Sequence, residues 1–192
     1  MKNSSLSFSL FIAALLLTSC VEENVKEVEF TVQANGKIFE RTVQRGLVSN
    51  GKTTNDAMND FKHLLKKYEP PITSPTSDKD CKGKIILTRQ LLLRGGQLET
   101  LEEAIYPKGF NTKCFMEIIS NGYIFAPVNT NKFEIETNGE LISNPDKKSE
   151  CLLIRWSTNK TTLWFKQKRR KASGIDLTEF YEKHLNSTKN EK

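Results

Sequence analysis

VEFTVQANGKIFERTVQ, residues 28–44, contains two strand-like runs on either side of one tight turn. The turn is Asn35-Gly36, a pair that favours the two-residue type I′ turn because both of its residues readily adopt positive φ. We therefore expect residues 28–34 to turn back as residues 37–44 in an antiparallel hairpin. The same dipeptide recurs at Asn50-Gly51, Asn121-Gly122 and Asn138-Gly139.

The C-terminal half of the chain repeats this hairpin pattern. The expected strand pairs are 114–120 with 123–128, 133–137 with 140–143, and 151–157 with 161–168. In the last pair, Leu152, Ile154 and Trp156 share one face by their period of two, which is typical of a strand with one buried side. Together with a strand over residues 84–93, these pairs predict an antiparallel, hairpin-rich sheet.

Helical patterns occur in three places. Residues 54–69 carry an apolar stripe at helical spacing, with Thr54 or Asn55 as the cap and Pro70-Pro71 as the end. Residues 176–186 carry a second stripe, and Asp176 with Glu179 resembles a capping box. A shorter helix is expected over residues 100–106. The sequence therefore predicts an α+β fold in which two or three helices pack on the sheet.

Composition sets the broad class of the protein. Charged residues make up 27% and hydrophobic residues 37% of the 192 positions, which excludes a multi-span membrane protein, a coiled coil and a disulfide-dense miniprotein. Eleven Phe, four Tyr and two Trp argue against wholesale disorder. We expect one α+β domain over residues 28–187, with residues 69–80 as a long loop inside it and residues 188–192 as a disordered tail.

The first twenty residues have the pattern of a leader peptide. Lys2 precedes an apolar run over residues 6–17, which is shorter than the about 20 residues that a membrane-spanning helix needs. The sequence Leu17-Thr18-Ser19-Cys20 resembles the lipobox of bacterial lipoproteins. This resemblance implies removal of residues 1–19, a diacylglycerol on Cys20 and a lipidated tether over residues 20–27.

The same resemblance gives an expected location in the bacterial cell envelope. Val21 stands where an Asp would resemble an inner-membrane retention signal of Gram-negative lipoproteins, so the outer membrane is expected in such a cell. The membrane is then a partner through the anchor on Cys20, since acyl chains bind bilayers stably. The alternative is a soluble secreted binding protein, with glycosylation sequons at 159–161 and 186–188.

Three cysteines remain once Cys20 is lipidated. Cys81, Cys114 and Cys151 allow at most one internal disulfide, with three possible pairings, and their spacing matches no zinc site. We expect one structural disulfide and one buried thiol. His63 is expected on a polar helix face and His184 in the core.

One segment matches a nucleotide-binding motif letter for letter. GLVSNGKT, residues 46–53, matches the Walker A pattern, in which Gly46, Gly51, Lys52 and Thr53 would cradle phosphates and hold Mg²⁺. The preceding strand carries Lys37, Glu40, Arg41 and Gln44, whereas the central parallel strand of a P-loop enzyme is almost entirely apolar. A P-loop enzyme is therefore the alternative hypothesis, and a glycine-bearing strand-to-helix loop is the favoured interpretation.

A basic segment near the C-terminus is the strongest binding candidate. Its cations are Lys166, Lys168, Arg169, Arg170 and Lys171. In an exported protein, nucleic acid is not an expected partner, whereas anionic headgroups or an acidic protein are. A solvated strand end and turn leading to the last helix is the favoured interpretation of this segment, because charge runs usually face water. The sequence contains no catalytic motif, metal site or cofactor motif that its context supports. It therefore indicates a non-catalytic module that binds an unknown envelope or extracellular protein. Its expected role is of the assembly, inhibitor or immunity type.

Overall fold

The computed structural model describes residues 21–72, 74–79, 81, 83–108, 116–119, 122–143 and 151–190, and the fold is α+β. Two helices and twelve strands are described within these ranges. In chain order they are β1 (Val21–Val32), β2 (Ile38–Ser49), α1 (Thr54–Tyr68), β3 (Thr76–Ser77), β4 (Ile85–Arg94), β5 (Gln97–Tyr106), β6 (Met116–Ile119), β7 (Gly122–Asn129), β8 (Phe133–Thr137), β9 (Glu140–Ser143), β10 (Cys151–Ser157), β11 (Thr162–Arg169), β12 (Ile175–Asp176) and α2 (Thr178–Asn190).

The strands form two antiparallel sheets. The large sheet has eight strands in the order β3-β4-β5-β2-β1-β11-β8, with β12 paired to the end of β2. The small sheet has the order β6-β7-β10-β9. The α+β class with an antiparallel sheet and two helices, predicted from the sequence, is confirmed.

Two apolar clusters cover one side of the large sheet, which we call the inner face. The first core joins the two sheets, because it contains residues of both: Val28, Phe30, Ile38, Tyr106, Ile154, Trp156, Leu163 and Phe165. The second core joins the large sheet to the helices: Leu47, Ala57, Phe61, Leu64, Tyr68, Leu91, Leu98, Leu177 and Tyr181. Each large apolar side chain buried in this way contributes about 1.5–3 kcal/mol to folding.

The helix expected at residues 54–69 is confirmed, and its cap explains where it begins. Thr53 is the N-cap, and its hydroxyl accepts a hydrogen bond from the Asp56 backbone N–H while the Asp56 carboxylate accepts one from the Thr53 backbone. This capping box satisfies amides that the first helical turn leaves unpaired. The helix after residue 176 is also present, but it begins at Thr178 and continues to Asn190, so it includes positions expected in a tail.

The hairpin at residues 28–44 is confirmed, and its first strand is longer than expected. β1 pairs with β2 from Val32↔Ile38 at the turn to Val21↔Ser49 at the far end. Residues from Val21 onward therefore form a strand in place of the tether expected over residues 20–27. Val21, the first residue of β1, follows Cys20 in the sequence, and Cys20 itself lies outside the described residues.

Two expected hairpins are wrong. β8 pairs with β11 in the large sheet and β9 pairs with β10 in the small sheet, so Asn138-Gly139 connects the two sheets rather than turning a hairpin. β10 and β11 are likewise in different sheets. At Gly139 an added Cβ would lie 2.7 Å from the Ile154 and Trp156 side chains, so this glycine allows a close approach of the sheets. The hairpin of β6 and β7 is confirmed in its described part.

The helix expected at residues 100–106 is also wrong, because these residues belong to β5. β5 pairs with β4 around Gly95-Gly96, both at positive φ, and with β2 on its other side. Its even-numbered residues from Leu98 to Tyr106 are buried or half-buried on the inner face. Pairing on both edges outweighs the local capping signal. No helix in the described part of the chain is long and apolar enough to span a membrane.

Candidate functional site

The basic segment lies beside the start of β1. β11 pairs antiparallel with β1, so that Lys166 is opposite Glu27 and Lys168 is opposite Val25. β11 ends at Arg169, whose guanidinium donates to the Glu23 carbonyl oxygen, and Arg170 and Lys171 follow directly after it. Because β1 begins at Val21, the basic segment and the point where Cys20 joins the domain lie at the same end of the large sheet.

Acidic side chains of the neighbouring strands hold three of these cations. Lys166 Nζ lies 3.7 Å from a carboxylate oxygen of Glu27, and Arg169 Nη1 lies 2.5 Å from Glu22 Oε2. Arg170 Nη1 lies 3.6 Å from Glu134 Oε1. Lys168 and Lys171 are exposed and make no ion pair with any residue that the structure describes. The segment is thus partly a strand end held by acids and partly free surface charge.

After β11 the chain crosses the end of the large sheet. Residues 170–174 connect β11 to β12, and β12 pairs with the end of β2. Ser49 is opposite Val21 on one side and opposite Ile175 on the other. The order at this end is therefore β11-β1-β2-β12, and residues 170–174, which we call the basic crossing, pass the ends of β1 and β2. Gly174, at φ 122°, approaches the Ser49 carbonyl oxygen closely.

The residues of the Walker A pattern lie at this same end but do not form a phosphate loop. Gly46 and the next three residues belong to β2, which is antiparallel to its neighbours, so these positions are engaged in the sheet. The Ser49 hydroxyl accepts a hydrogen bond from the Gly51 backbone N–H and donates one to Asp60. Thr53 caps α1, and Lys52 is exposed. This geometry fits a glycine-bearing loop that leads into α1.

The side of the large sheet opposite to the inner face carries a row of alternating charges, and we call it the open face. Arg45 on β2 lies 2.7 Å from Glu27 on β1 and 3.0 Å from Glu99 on β5. Burial lowers the pKa of the Arg45 guanidinium, but these two carboxylates outweigh burial and raise it. Lys166 extends the row to β11. Charges of both signs are thus held in fixed positions across four strands.

Next to this row the open face has a shallow groove of about 180 Å³. Glu27, Glu29, Arg41, Trp164 and Lys166 are among its lining residues. Trp164 is half-buried, while Glu29 and Arg41 are exposed. Tryptophan and arginine are enriched among the residues that contribute most to protein interfaces, and this groove offers both, in Trp164 and Arg41.

A buried charge cluster lies on the inner face between the two cores. Lys84 Nζ is 3.0 Å from Glu40 Oε1 and 2.8 Å from Glu102 Oε1. Glu102 also accepts from Arg89 at 2.7 Å, and the Tyr106 hydroxyl donates to Glu40 at 2.5 Å. Each charge has partners of the opposite sign, as burial requires. Through these ion pairs, the segment that contains Lys84 is attached to β2 and β5.

The pKa values of this cluster follow from burial and pairing. Burial lowers the pKa of Lys84, but the carboxylates of Glu40 and Glu102 prevail and raise it. Burial raises the pKa of Glu102, but Lys84 and Arg89 prevail and lower it. Burial and the charge on Glu40 raise the pKa of Tyr106. The cluster is therefore ionised at Lys84 and Glu102 and neutral at Tyr106 near pH 7.

Sequence reasoning missed this cluster, although the sequence contained a signal for it. Glu40 shares its period-two face with Ile38, which the strand pattern would bury. A carboxylate on the apolar face of a strand indicates a buried cation nearby, because an unpaired buried charge is very costly. The cation itself is 44 positions away along the chain, so no local pattern identifies Lys84.

The cysteine and histidine predictions have separate outcomes. Cys81 is disulfide-bonded, half-buried and packed against the first core, whereas Cys20 and the side chains of Cys114 and Cys151 lie outside the described part. His184 Nε2 lies 2.9 Å from Glu69 Oε2, and its ring is in contact with those of Phe61 and Tyr181, so this histidine has a polar partner and apolar neighbours. His63 is exposed. The described residues contain no group of three or more side chains that could bind a metal ion.

Comparison with known proteins gives no relative from which a function could be transferred. The chain matches no family model, no curated protein and no solved structure.

Proposed function

We propose that this chain is a lipid-anchored protein of the bacterial cell envelope, and that it binds another envelope or extracellular protein without catalysing a reaction. One observation carries the proposal. β1 begins at Val21, so the position that the lipobox pattern marks for lipidation directly precedes the first strand of the large sheet.

An anchor at this position would hold the domain close to the bilayer. One extended residue spans at most about 3.6 Å, so the end of the large sheet that contains Val21 would lie at the headgroups. β1 runs away from this end for 12 residues, to the Asn35-Gly36 turn. At about 3.3 Å per residue, that turn would stand roughly 40 Å from the membrane. The open face would then be exposed to the side, along the full length of the strands.

The open face is the surface that best suits a protein partner. Its row of charges is fixed by pairing between strands, for example through Arg45, and its groove contains Trp164. Charges of both signs in fixed positions favour one register of a partner over others. A partly accessible tryptophan offers a large apolar contact area. We therefore place the partner on the open face, across β1, β2 and β11.

The buried charge cluster suits a structural role rather than a catalytic one. Glu40, Glu102 and Lys84 satisfy one another, and the Tyr106 hydroxyl is engaged with Glu40. A general acid or base needs a proton that a substrate can reach and a pKa near the working pH. In this cluster, pairing moves the pKa values of Lys84 and Glu102 away from neutrality.

Site-specific photocrosslinking in intact cells tests the proposal. A photoreactive amino acid replaces Arg41 or Trp164 on the open face, and the matched control position is Lys62, which is exposed on α1 on the other side of the sheet. We expect one discrete adduct with a second protein from positions 41 and 164, and none from position 62. Equal crosslinking from all three positions, or none from the open face, would contradict a partner at this surface.

A further inference from the structure

We infer that the basic crossing and the adjacent lysines contact anionic phospholipid headgroups of the membrane that holds Cys20, and that this contact orients the domain. The inference rests on the proposed anchor and adds a surface, a ligand class and an orientation to it.

The path of the chain brings the basic crossing close to the start of β1. Between Arg169 and Ile175 the chain must pass from β11 across β1 and β2 to β12. Three strand spacings amount to about 14 Å, and six extended residues reach about 20 Å, so little slack remains. The crossing therefore runs close to the end of β1. Val21, the residue that follows Cys20 in the sequence, lies at this same end.

Exposed lysines lie on and near the basic crossing. Lys168 and Lys171 are exposed and make no ion pair among the described residues. Arg170 donates its backbone N–H to the Lys132 carbonyl and its guanidinium to the Thr130 carbonyl, which brings the exposed Lys132 to the crossing. Lys52, also exposed, follows the Ser49 end of β2. Four exposed lysines thus lie on segments that approach this end of the large sheet.

Two of the acidic side chains at this end are paired with arginines of the basic segment. Glu22 is paired with Arg169, and Glu134 with Arg170. Glu23 lines a pocket with His63 and Lys67 under α1. Asp176 accepts from the backbone N–H of Thr178, and Asp56 belongs to the capping box, but both are exposed and keep their negative charge. Among the described residues, the four lysines outnumber the carboxylates of Glu23, Asp56 and Asp176 by one, so the charge left after ion pairing at this end is positive.

An anionic bilayer fits this surface better than any other partner, because the anchor would hold it there permanently. Lys52, Lys132 and Lys171 would lie nearest to the bilayer, within reach of the about 8 Å over which charges act at physiological salt. Lys168, opposite Val25, would stand about 13 Å further along the strands, where its attraction is strongest at low salt. One lysine near an anionic surface strengthens binding about fivefold, and two strengthen it about 30-fold. An acyl anchor together with a cluster of cations is a known combination for stable membrane attachment.

The test uses the lipidated protein in vesicles. A fluorescent amino acid is placed at Ser173 in the crossing, and in a matched protein at Ala34 beside the distal turn. Flotation of vesicles made with or without 30% phosphatidylglycerol reports the anchor, and quenching by headgroup-labelled lipid reports the orientation. We expect strong quenching at position 173 with phosphatidylglycerol and little at position 34. The variant Lys168→Gln/Lys171→Gln should lose the quenching at position 173, whereas Lys62→Gln/Lys66→Gln on α1 should keep it.

The outcomes separate the inference from the anchor. Protein that floats without quenching at position 173, or whose quenching depends neither on phosphatidylglycerol nor on Lys168 and Lys171, overturns the inference and leaves the anchor standing. The second result would assign these cations to an acidic protein instead. If the protein does not float, the anchor fails, and binding of the same protein to phosphatidylglycerol vesicles at low salt becomes the test. Binding that the double variant weakens about 30-fold supports headgroup contact, and its absence overturns it.

Discussion

Arg169 on β11 and Glu22 on β1 form an ion pair with a separation of 2.5 Å between Nη1 and Oε2. Arg169 Nε also donates to the Glu23 carbonyl oxygen at 3.2 Å, and its guanidinium lies 5.1 Å from the centre of the Phe133 ring. One side chain therefore ties the basic segment to the start of β1. The end of the domain next to Cys20 is fixed by contacts between three strands.

Arg169→Gln should destabilise the domain by about 1–2 kcal/mol, because it removes a charge-assisted contact and a cation–π contact from a side chain that is only 13% exposed. Arg170→Gln is the control. Its pair with Glu134 is about half exposed on both sides, so the loss should stay below about 0.5 kcal/mol. Urea unfolding of both variants measures the difference. Equal losses would show that Arg169 does not secure the start of β1.

Lys84→Met should be among the most destabilising substitutions in the chain. It leaves Glu40 and Glu102 buried without their shared cation, and breaking such a pair costs about 3–5 kcal/mol. Arg155→Met is the matched control, because its pair with Glu140 is exposed and contributes at most about 1 kcal/mol. The free energy of unfolding in urea measures both. A loss at Lys84 no larger than that at Arg155 would contradict a cluster that depends on this lysine.

The buried charge cluster should also give a pH dependence in the acid range. Pairing with Lys84 and Arg89 lowers the pKa of Glu102 below its ordinary value of 4.5, against the effect of burial. Its stabilisation is therefore complete above pH 4.5 and is lost as the pH falls through the lowered folded-state value. Glu102→Gln should be less stable at neutral pH and lose less stability on acidification.

Unfolding curves measured between pH 7 and pH 3 test this, and Glu140→Gln, at an exposed carboxylate, serves as the control with an unchanged slope. If Glu102→Gln keeps the acid slope of the unchanged protein, proton uptake by Glu102 does not drive the loss.

Asn138 should be far more sensitive to substitution than Asn35, although both begin an Asn-Gly pair. Asn138 Oδ1 accepts from Trp156 Nε1 at 2.8 Å and from the Trp164 backbone N–H at 3.0 Å, so it links the two sheets. Asn138→Ala leaves both donors without this acceptor and should cost about 2–4 kcal/mol. Asn35→Ala, at an exposed turn, should cost about 1 kcal/mol or less. Thermal unfolding followed by tryptophan fluorescence compares them, and similar losses would argue against a linking role for Asn138.

These two asparagines also show how far local sequence predicts this fold. The hairpin of β1 and β2 is predictable because turn and strands are contiguous. At Asn138-Gly139 the same dipeptide joins different sheets, because its partners Trp156 and Trp164 lie 18 and 26 positions away. The prediction of a short helix over residues 100–106 is wrong for the same reason. The pairing of β5 with β2 and β4 cannot be predicted from the local sequence of β5.

The candidate site, too, could be predicted only in part from the sequence. The lipobox pattern and the cations from Lys166 to Lys171 are readable directly from the sequence. What the sequence does not reveal is that β1 begins at Val21 and that the chain crosses the end of the sheet, which together bring Lys171 close to the position of Cys20. Both depend on the register of β1 with β11 and of β2 with β12, and registers between distant strands are set by the folded structure.

The most direct measurement for the whole account is the mass of the mature N-terminal peptide from protein expressed in its own host. The account predicts a peptide that begins at Cys20 and carries a diacylglycerol, with the domain starting at the next residue. The variant Cys20→Ala should lose this modification and remain unprocessed in the membrane or be released. A protein that retains Met1, or that is cut elsewhere and carries no lipid, would contradict the account.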